Sequence, residues 1–485
     1  MCKLMHMKYF FSPLLMKQPA LSLRPLLLTI LILSLSCPNI AHGAFTLEDE
    51  KRLGKEFYDN IEKHQAILHD QRVTTYVATV GNKILANSQP LPYSYRFSVI
   101  KSQAVNAFAT PGGYVYINQG LLTLVESESE LAGVLAHEIA HINARHIADS
   151  IEKSKKINIA TLAAILAGAF LGVGADLGAA IAAFSLGGMQ SMNLKYSREH
   201  EEEADRLGLA YLVSTGYDGK SMLDFLKIMR RYEYYSNTIP SYFLTHPGTD
   251  ERIRYLDAEI QTTYTRRGEV SIVGNLKRIQ TLVILQSRDY PGNLKHFQNN
   301  LKKNPNDVDD LLGMAVTCEK LGQTSEAFQS FHKAYILSPN DQDILREMGI
   351  AYYHAGKAKE AIGYLNETLK QDPDNVISLL YLARSYEAVG NTGQAIAIFK
   401  EIERKTIASE DVYYTMAMIY GKTNHPYESH YYFGKYFKLK LKRDSALFHF
   451  QAAMKYVSPN SPEAGEIQKE ILSLKKNNGL RPPPK

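Results

Sequence analysis

His137-Glu138-Ile139-Ala140-His141 stands at the centre of a stretch, Ser127 to about Lys155, whose reading decides the fold. The spacing predicts one helix. Ser127 with Glu130 three residues on is a capping-box start, acidic residues crowd the first turn, and Leu131, Val134, Leu135, Ile139 and Ile142 recur at roughly helical spacing, giving one buried stripe. Residues four apart lie one turn apart on one face, so His137 and His141 project together. Two imidazoles so placed can hold one small cation. Glu138 sits beside them and can reach a water next to that cation, the arrangement of a zinc site with its own general base.

A catalytic zinc needs a third protein ligand. Ser197-Arg198-Glu199-His200-Glu201-Glu202-Glu203-Ala204-Asp205 opens a second helix that continues through Leu207, Leu209 and Leu212, with Glu201 and Asp205 four apart on one face. Glu201 reads as the third ligand, and Asp205 as the carboxylate that orients a ligand histidine through its other ring nitrogen. The bland alternative for so acidic a run is a solvated helix face. The HExxHxxGxxH pattern is excluded, because Ala144 and Ile147 stand where it needs Gly and His; His146, one place off, reads as a surface residue.

HEIAH, then an apolar insert, then SREHEEEAD, then Thr245-His246-Pro247 with Asp250-Glu251-Arg252-Ile253, resembles the zinc metallopeptidase family that includes the CAAX prenyl protease and HtpX. The resemblance implies an α+β gluzincin-type domain with one Zn2+ per chain held by His137, His141 and Glu201, and Glu138 as catalytic base. It further implies a Gram-negative periplasm, misassembled outer-membrane proteins as substrates, and the outer-membrane beta-barrel assembly machinery as a partner. His246 precedes a proline and a helix start at Thr249, so it is expected on a loop. Three readings of it stay open: a catalytic hydrogen bond to the oxyanion, a fourth metal ligand that holds the enzyme idle, or a surface histidine. Arg252 matches an arginine of the family but acquires no role.

Residues 1–43 carry Lys3, Lys8, Lys17 and Arg24, no acidic residue, and the apolar run Leu26 to Leu35, which reads as an export signal cut after Gly43. Cys37 raises the alternative of a lipoprotein signal. Losing this segment takes the formal charge from +5 to +1, so the basicity belongs to the signal and no nucleic-acid partner is expected. Cys2 and Cys37 leave with it, and Cys318 alone can form no internal disulfide.

The chain from Ala44 to about Asn87 reads as helical scaffold. Tyr95 to Ile100 and Tyr114 to Asn118, on either side of Pro111-Gly112-Gly113, suggest a small antiparallel sheet whose edge could hold an extended substrate. Asn106 to Gly113 resembles the family segment before the active helix, which makes Asn106, Gly112 and Gly113 candidate substrate-binding residues; the alternative is a plain hairpin. Ile157 to Gly188 is apolar and rich in Ala and Gly, but Asp176 and several glycines interrupt it, so it reads as a lid or an element in peripheral membrane contact ahead of a true span.

Beyond a connector the character changes. Gly322, Gly356 and Gly390 are spaced by 34, as are Ala327, Ala361 and Ala395, and Pro305, Pro339 and Pro373, the period of the tetratricopeptide repeat. These glycines and alanines read as close-packing positions and Cys318 as core. The expected architecture is mainly α: signal 1–43, zinc metallopeptidase domain 44–265, connecting helices 266–304, an α-solenoid of repeats 305–476, and a flexible tail 477–485. Rows of tyrosines such as Tyr413, Tyr414, Tyr427, Tyr431 and Tyr432 suit a surface that docks protein. The function expected is an exported zinc endopeptidase cleaving protein substrates; the alternatives are an assembly chaperone with a latent site and a scaffold.

Overall fold

The computed structural model describes residues 45–153, 196–236, 240–405 and 410–476. The expected export signal, the apolar insert 157–188 and the tail 477–485 lie outside them. Helix α1 (Leu47–Lys63) opens at Thr46, whose side chain accepts the Asp49 N–H while Asp49 accepts the Thr46 N–H, and it buries Leu53, Phe57 and Ile61. Helix α2 (Gln71–Leu85), capped by Asp70, buries Val73, Val77, Val80 and Ile84. Both follow the apolar periodicity of the sequence.

The sheet corrects the expected pairing. Strands β1 (Arg96–Ile100), β2 (Ala107–Thr110) and β3 (Tyr114–Asn118) lie in the order β1-β3-β2. β1 runs parallel to β3, Arg96 opposite Tyr114, and the antiparallel partner of β3 is β2. A turn as tight as Pro111-Gly112-Gly113 can join β3 antiparallel only to the strand directly before it. That strand, Ala-Phe-Ala-Thr, is buried at all positions, so it carries no period-two signal by which to find it. Gly112 and Gly113 have φ of +85° and +93°, and a Cβ on Gly112 would meet the Glu50 carbonyl oxygen at 2.8 Å.

Helix α3 (Gln119–Leu124) leads into α4 (Glu128–Asn143), which carries the HEIAH string. The Ser127 hydroxyl accepts the Glu130 N–H as expected. The helix does not run on to Lys155, however. It stops at Asn143, Arg145 adopts the left-handed conformation (φ 57°), and α5 (His146–Lys153) starts in a new direction. A left-handed non-glycine residue costs about 1–2 kcal/mol. Tertiary contacts offset this: Arg145 donates through Nε to Glu50 at 2.7 Å and through Nη2 to the Phe45 carbonyl at 2.6 Å. Nor is α4 buried along one stripe. Every residue from Glu128 to Ile142 is buried, because α2, the sheet, α6 (Arg198–Ser214) and α7 (Lys220–Ser236) enclose it. Gly208 of α6 permits that closeness, since a Cβ there would stand 3.0 Å from the His137 backbone nitrogen.

The N-terminus of α4 is tied down by one carboxylate. Glu128 accepts hydrogen bonds from the hydroxyls of Tyr76, Tyr217 and Ser271 and from the N–H groups of Ile272, Val273 and Gly274, at 2.7 to 3.2 Å. Burial opposes its charge, but the backbone donors prevail and hold its pKa below the usual carboxylate value. The chain after α8 (Ser241–Thr245) and α9 (Thr249–Thr262) is thus bound to the start of α4. Helix α10 (Leu276–Leu285) follows and buries Leu276, Ile279, Leu282 and Val283 in the same core as Leu131 and Leu135.

After α11 (Tyr290–Lys303), helices pair antiparallel at 308–320 and 324–337, 342–354 and 358–371, 376–388 and 392–405, 410–422 and 426–439, and 443–454 and 462–476. Cys318, Ala327, Ala361 and Ala395 are buried as expected. The period-34 glycines are not close-packing residues. Gly322, Gly356 and Gly390 have φ of +74°, +74° and +81° with open space where a Cβ would stand, so they close each first helix in the left-handed conformation. The close-packing glycines are others, such as Gly349, where a Cβ would meet Leu365 at 2.6 Å. The repeats join the first domain through Arg278, which donates to Asp341 and Asp343, and Arg72, 2.7 Å from Asp343.

Candidate metal centre

His137 and His141 leave α4 on one face with their Nε2 atoms 2.9 Å apart. From α6, Glu201 brings Oε1 to 3.4 Å from His141 Nε2 and Oε2 to 3.5 Å from His137 Nε2. His246, the residue that ends α8, brings Nδ1 to 3.2 Å from His137 Nε2 and 3.0 Å from Glu201 Oε1. These four buried groups each offer one donor atom, all within 4.8 Å of one another. A tetrahedral zinc with bonds of about 2.0–2.1 Å needs donor atoms about 3.3–3.4 Å apart, and three imidazoles with one carboxylate are donors that zinc prefers. The residues present therefore fit the metal.

Glu138 lies beside the cluster, fully buried, with His246 Nε2 3.4 Å from its Oε1. Neither of its carboxylate oxygens makes a hydrogen bond among the described residues. Burial raises its pKa, and the neighbouring His246 and His137 offset part of that rise. Asp205, one turn after Glu201, sits 2.9 Å from His137 Nδ1, the position from which it could orient that ring. Burial and Arg252 oppose a proton on His137, yet Asp205 and Glu201 outweigh them and bring its pKa to about 9 in the metal-free protein. His141 goes the other way: burial and the neighbouring His137 push it well below the imidazole range.

The sequence left Arg252 without a role, and the structure supplies one. Its guanidinium, buried in the same site, donates to both oxygens of Asp205 at 2.8 Å and stands 2.8 Å from Glu201 Oε2. Tyr255 also donates to Asp205. Burial opposes the charge of both carboxylates, but His246 and Arg252 hold Glu201 ionised, and Arg252 and His137 hold Asp205 ionised, each well below the usual carboxylate range. Two ring stackings complete the enclosure, Tyr196 on His141 at 3.7 Å between centroids and Tyr242 on His246 at 4.4 Å.

One expectation is corrected here, and one of the three open readings of His246 is removed. His146 is not on the surface; it is 2% exposed, with its Nδ1 2.8 Å from His141 Nδ1. The sequence does carry a trace of this, because the apolar spacing changes from three (Ile139, Ile142) to five (Ile142, Ile147), which a continuous helix cannot bury on one face. Nor is His246 a surface residue, being fully buried although it ends a short helix beside Pro247. Among the candidate substrate-binding residues, Asn106 is buried at the start of β2, next to Val105, whose carbonyl accepts the N–H of Tyr242 in α8. The structure does not bring Gly112 and Gly113 into the cluster: their Cα atoms face Glu50, Lys51, Tyr93 and Tyr95. The small cavity beside His141 is lined instead by Ala109, Thr110 and Pro111.

An HExxH helix crossed by a second helix that gives a carboxylate, over a three-stranded sheet, defines a metallopeptidase domain. Residues 71–260 match Peptidase family M48, and residues 320–375 and 353–419 match the tetratricopeptide repeat; the chain is an M48 peptidase domain followed by such repeats. A Vibrio cholerae relative is 33% identical over 215 residues, and the beta-barrel assembly-enhancing protease of Yersinia pestis is 30% identical over 214. In both, the match spans 44% of this chain and 44% of the relative, less than half its length. The mitochondrial metalloendopeptidase OMA1 of Schizosaccharomyces pombe is 30% identical over 225 residues, 46% of this chain and 64% of that protein.

Proposed function

We propose that this protein is a zinc-dependent endopeptidase of the Gram-negative periplasm that acts on misassembled outer-membrane proteins, with its repeats docking a partner, the beta-barrel assembly machinery. The observation that carries the catalytic part is the buried cluster of His137, His141, Glu201 and His246 with the unengaged carboxylate of Glu138 beside it. The names of the bacterial relatives support the substrate and the partner. Among the described residues no helix is long and apolar enough to cross a membrane.

His137, His141 and Glu201 would hold the ion, with Asp205 and Arg252 keeping His137 and Glu201 in place. Bound there, zinc supplies Lewis acidity toward a water and a peptide carbonyl. Glu138 takes the proton of the attacking water and returns it to the leaving amine. Its raised pKa suits both steps, since a carboxylate that holds a proton more tightly than usual is the better base and can still release it.

For His246 the geometry favours the fourth-ligand reading. Its Nδ1 stands at a corner of the cluster, 3.0 Å from Glu201 Oε1, where it would take the place that a catalytic site leaves to water. With His246 as a fourth ligand the protein would be latent until His246 leaves the cluster, which would require it to break its stacking on Tyr242. In the repeats, Tyr427 and Tyr431 line a groove of about 610 Å³ whose other walls are mostly charged, among them Glu403, Glu463, Glu466 and Lys435, a surface on which a protein partner could dock. An assembly factor or scaffold without proteolysis would have no use for an unengaged Glu138.

Zinc content and cleavage of unfolded casein, measured for wild type beside Glu138→Gln, test this reading. One zinc in each protein, with cleavage, slow while His246 stays in the cluster, confined to the wild type, supports it; failure of both to bind zinc overturns it. If both bind zinc and neither cleaves, cleavage by His246→Ala would show the latent state, and its absence would favour the assembly factor.

A further inference from the structure

His146 acts on nothing in the mechanism above, yet it is buried at the centre of a hydrogen-bonded chain that ends on a metal-site histidine. On a continuous helix a residue five after His141 would lie about 140° away around the axis, facing elsewhere. The left-handed Arg145 breaks α4 and swings His146 back against His141. The His141 ring has its Nε2 toward the cluster, 2.9 Å from His137 Nε2, and its Nδ1 toward His146 Nδ1 at 2.8 Å. The other nitrogen of His146, Nε2, lies 3.2 Å from Glu203 Oε2. Its ring stacks on His200 at 4.3 Å and 12°, and His200 Nε2 is itself 3.0 Å from Asp149 Oδ2.

These contacts leave one consistent set of protons. A histidine that offers the lone pair of Nε2 to a metal carries its proton on Nδ1. That Nδ1–H of His141 points at His146 Nδ1, which must then be an acceptor. His146 therefore carries its proton on Nε2, where Glu203 accepts it. The helix α6 thus serves both metal histidines: Glu201 and Asp205 on one side face His137 and the cluster, while His200 and Glu203 on another hold the residue that holds His141.

We propose that His146 is a positioning residue of the metal site, fixing His141 in the tautomer and orientation that present Nε2 to the ion, as Asp205 does for His137. The inference rests on the metallopeptidase reading above. Partners of this kind typically set metal affinity within a factor of about 10–100.

Competition titration of zinc with a chromophoric chelator on the full chain tests it, for wild type, His146→Phe and His146→Asn. His146→Phe keeps the ring volume but loses the acceptor, and should bind zinc about 10–100-fold more weakly. His146→Asn places a carbonyl oxygen near the position of Nδ1 and should recover most of that loss. Wild-type affinity in a folded His146→Phe would overturn this inference alone, whereas a wild-type chain that binds no zinc would remove the metallopeptidase reading and this inference with it. Should His146→Phe fail to fold, ring 15N spectra of the wild type decide. The proton is expected on Nδ1 of His141 and on Nε2 of His146, and the opposite tautomers would refute the proposal.

Discussion

Arg252→Leu removes a buried guanidinium that makes three contacts of 2.8 Å, two to Asp205 and one to Glu201. Leucine fills part of the volume but leaves two buried carboxylates short of a counter-charge. Breaking a buried pair by removing one partner costs about 3–5 kcal/mol. For a domain of this size each kcal/mol corresponds to roughly 2–4 °C, so the metal-free peptidase domain should melt roughly 6–20 °C lower. Zinc adds positive charge beside Glu201, so the loss should be smaller in the loaded protein. Arg252→Lys should fall between, because an ammonium cannot bridge two carboxylates with the planar fork of arginine. Calorimetry of each variant with chelator and with zinc measures this. If Arg252→Leu melts with the wild type in chelator, then Arg252 does not carry the charge balance of the site and the reasoning fails.

His246→Ala should weaken zinc binding and raise casein cleavage if Nδ1 is a ligand; a fall in cleavage with zinc affinity unchanged would restore the oxyanion reading. His137 titrates at about 9 in the empty site, above the ordinary imidazole value, so the empty site holds a proton that zinc must displace at neutral pH. The apparent zinc association constant should therefore rise about tenfold per pH unit from about 7 to 9 and then level off; a flat profile above pH 7 would count against it. By the same sign, the stability that this proton lends the metal-free fold is complete below the ordinary imidazole value and lost as pH rises through about 9. Glu201 and Asp205, held low, contribute stability that is present above the ordinary carboxylate value and lost as pH falls. In the repeats, Gly349→Ala drives a Cβ into Leu365 and should destabilise by about 1–3 kcal/mol, whereas Gly363→Ala, with open space around it in a helix, should stabilise by up to about 1 kcal/mol; urea unfolding separates them.

The linear chain carried those features whose physics is local. The pairing of His137 with His141, the pairing of Glu201 with Asp205, the Ser127 cap and the 34-residue period all follow from helix geometry over a few residues or from repetition, and they could be read before any fold was known. The first domain's centre was legible for that reason, down to the closeness of Asp205 to His137. What failed depended on contacts between distant segments. β1 lies parallel to β3 because the chain loops back through β2, a strand buried at every position that shows no alternation. Arg145 leaves the helical region because Glu50, far earlier in the chain, holds its guanidinium, and that break turns His146 from an expected surface residue into the partner of His141. Arg252 and His246 likewise had motif positions but no stated geometry until α8 and α9 were packed against α4 and α6. Periodicity specifies which face of an element is apolar and which donors share it; where one element ends against another, and which buried charge answers which, is set by tertiary packing, since those energies arise between residues that the sequence keeps far apart.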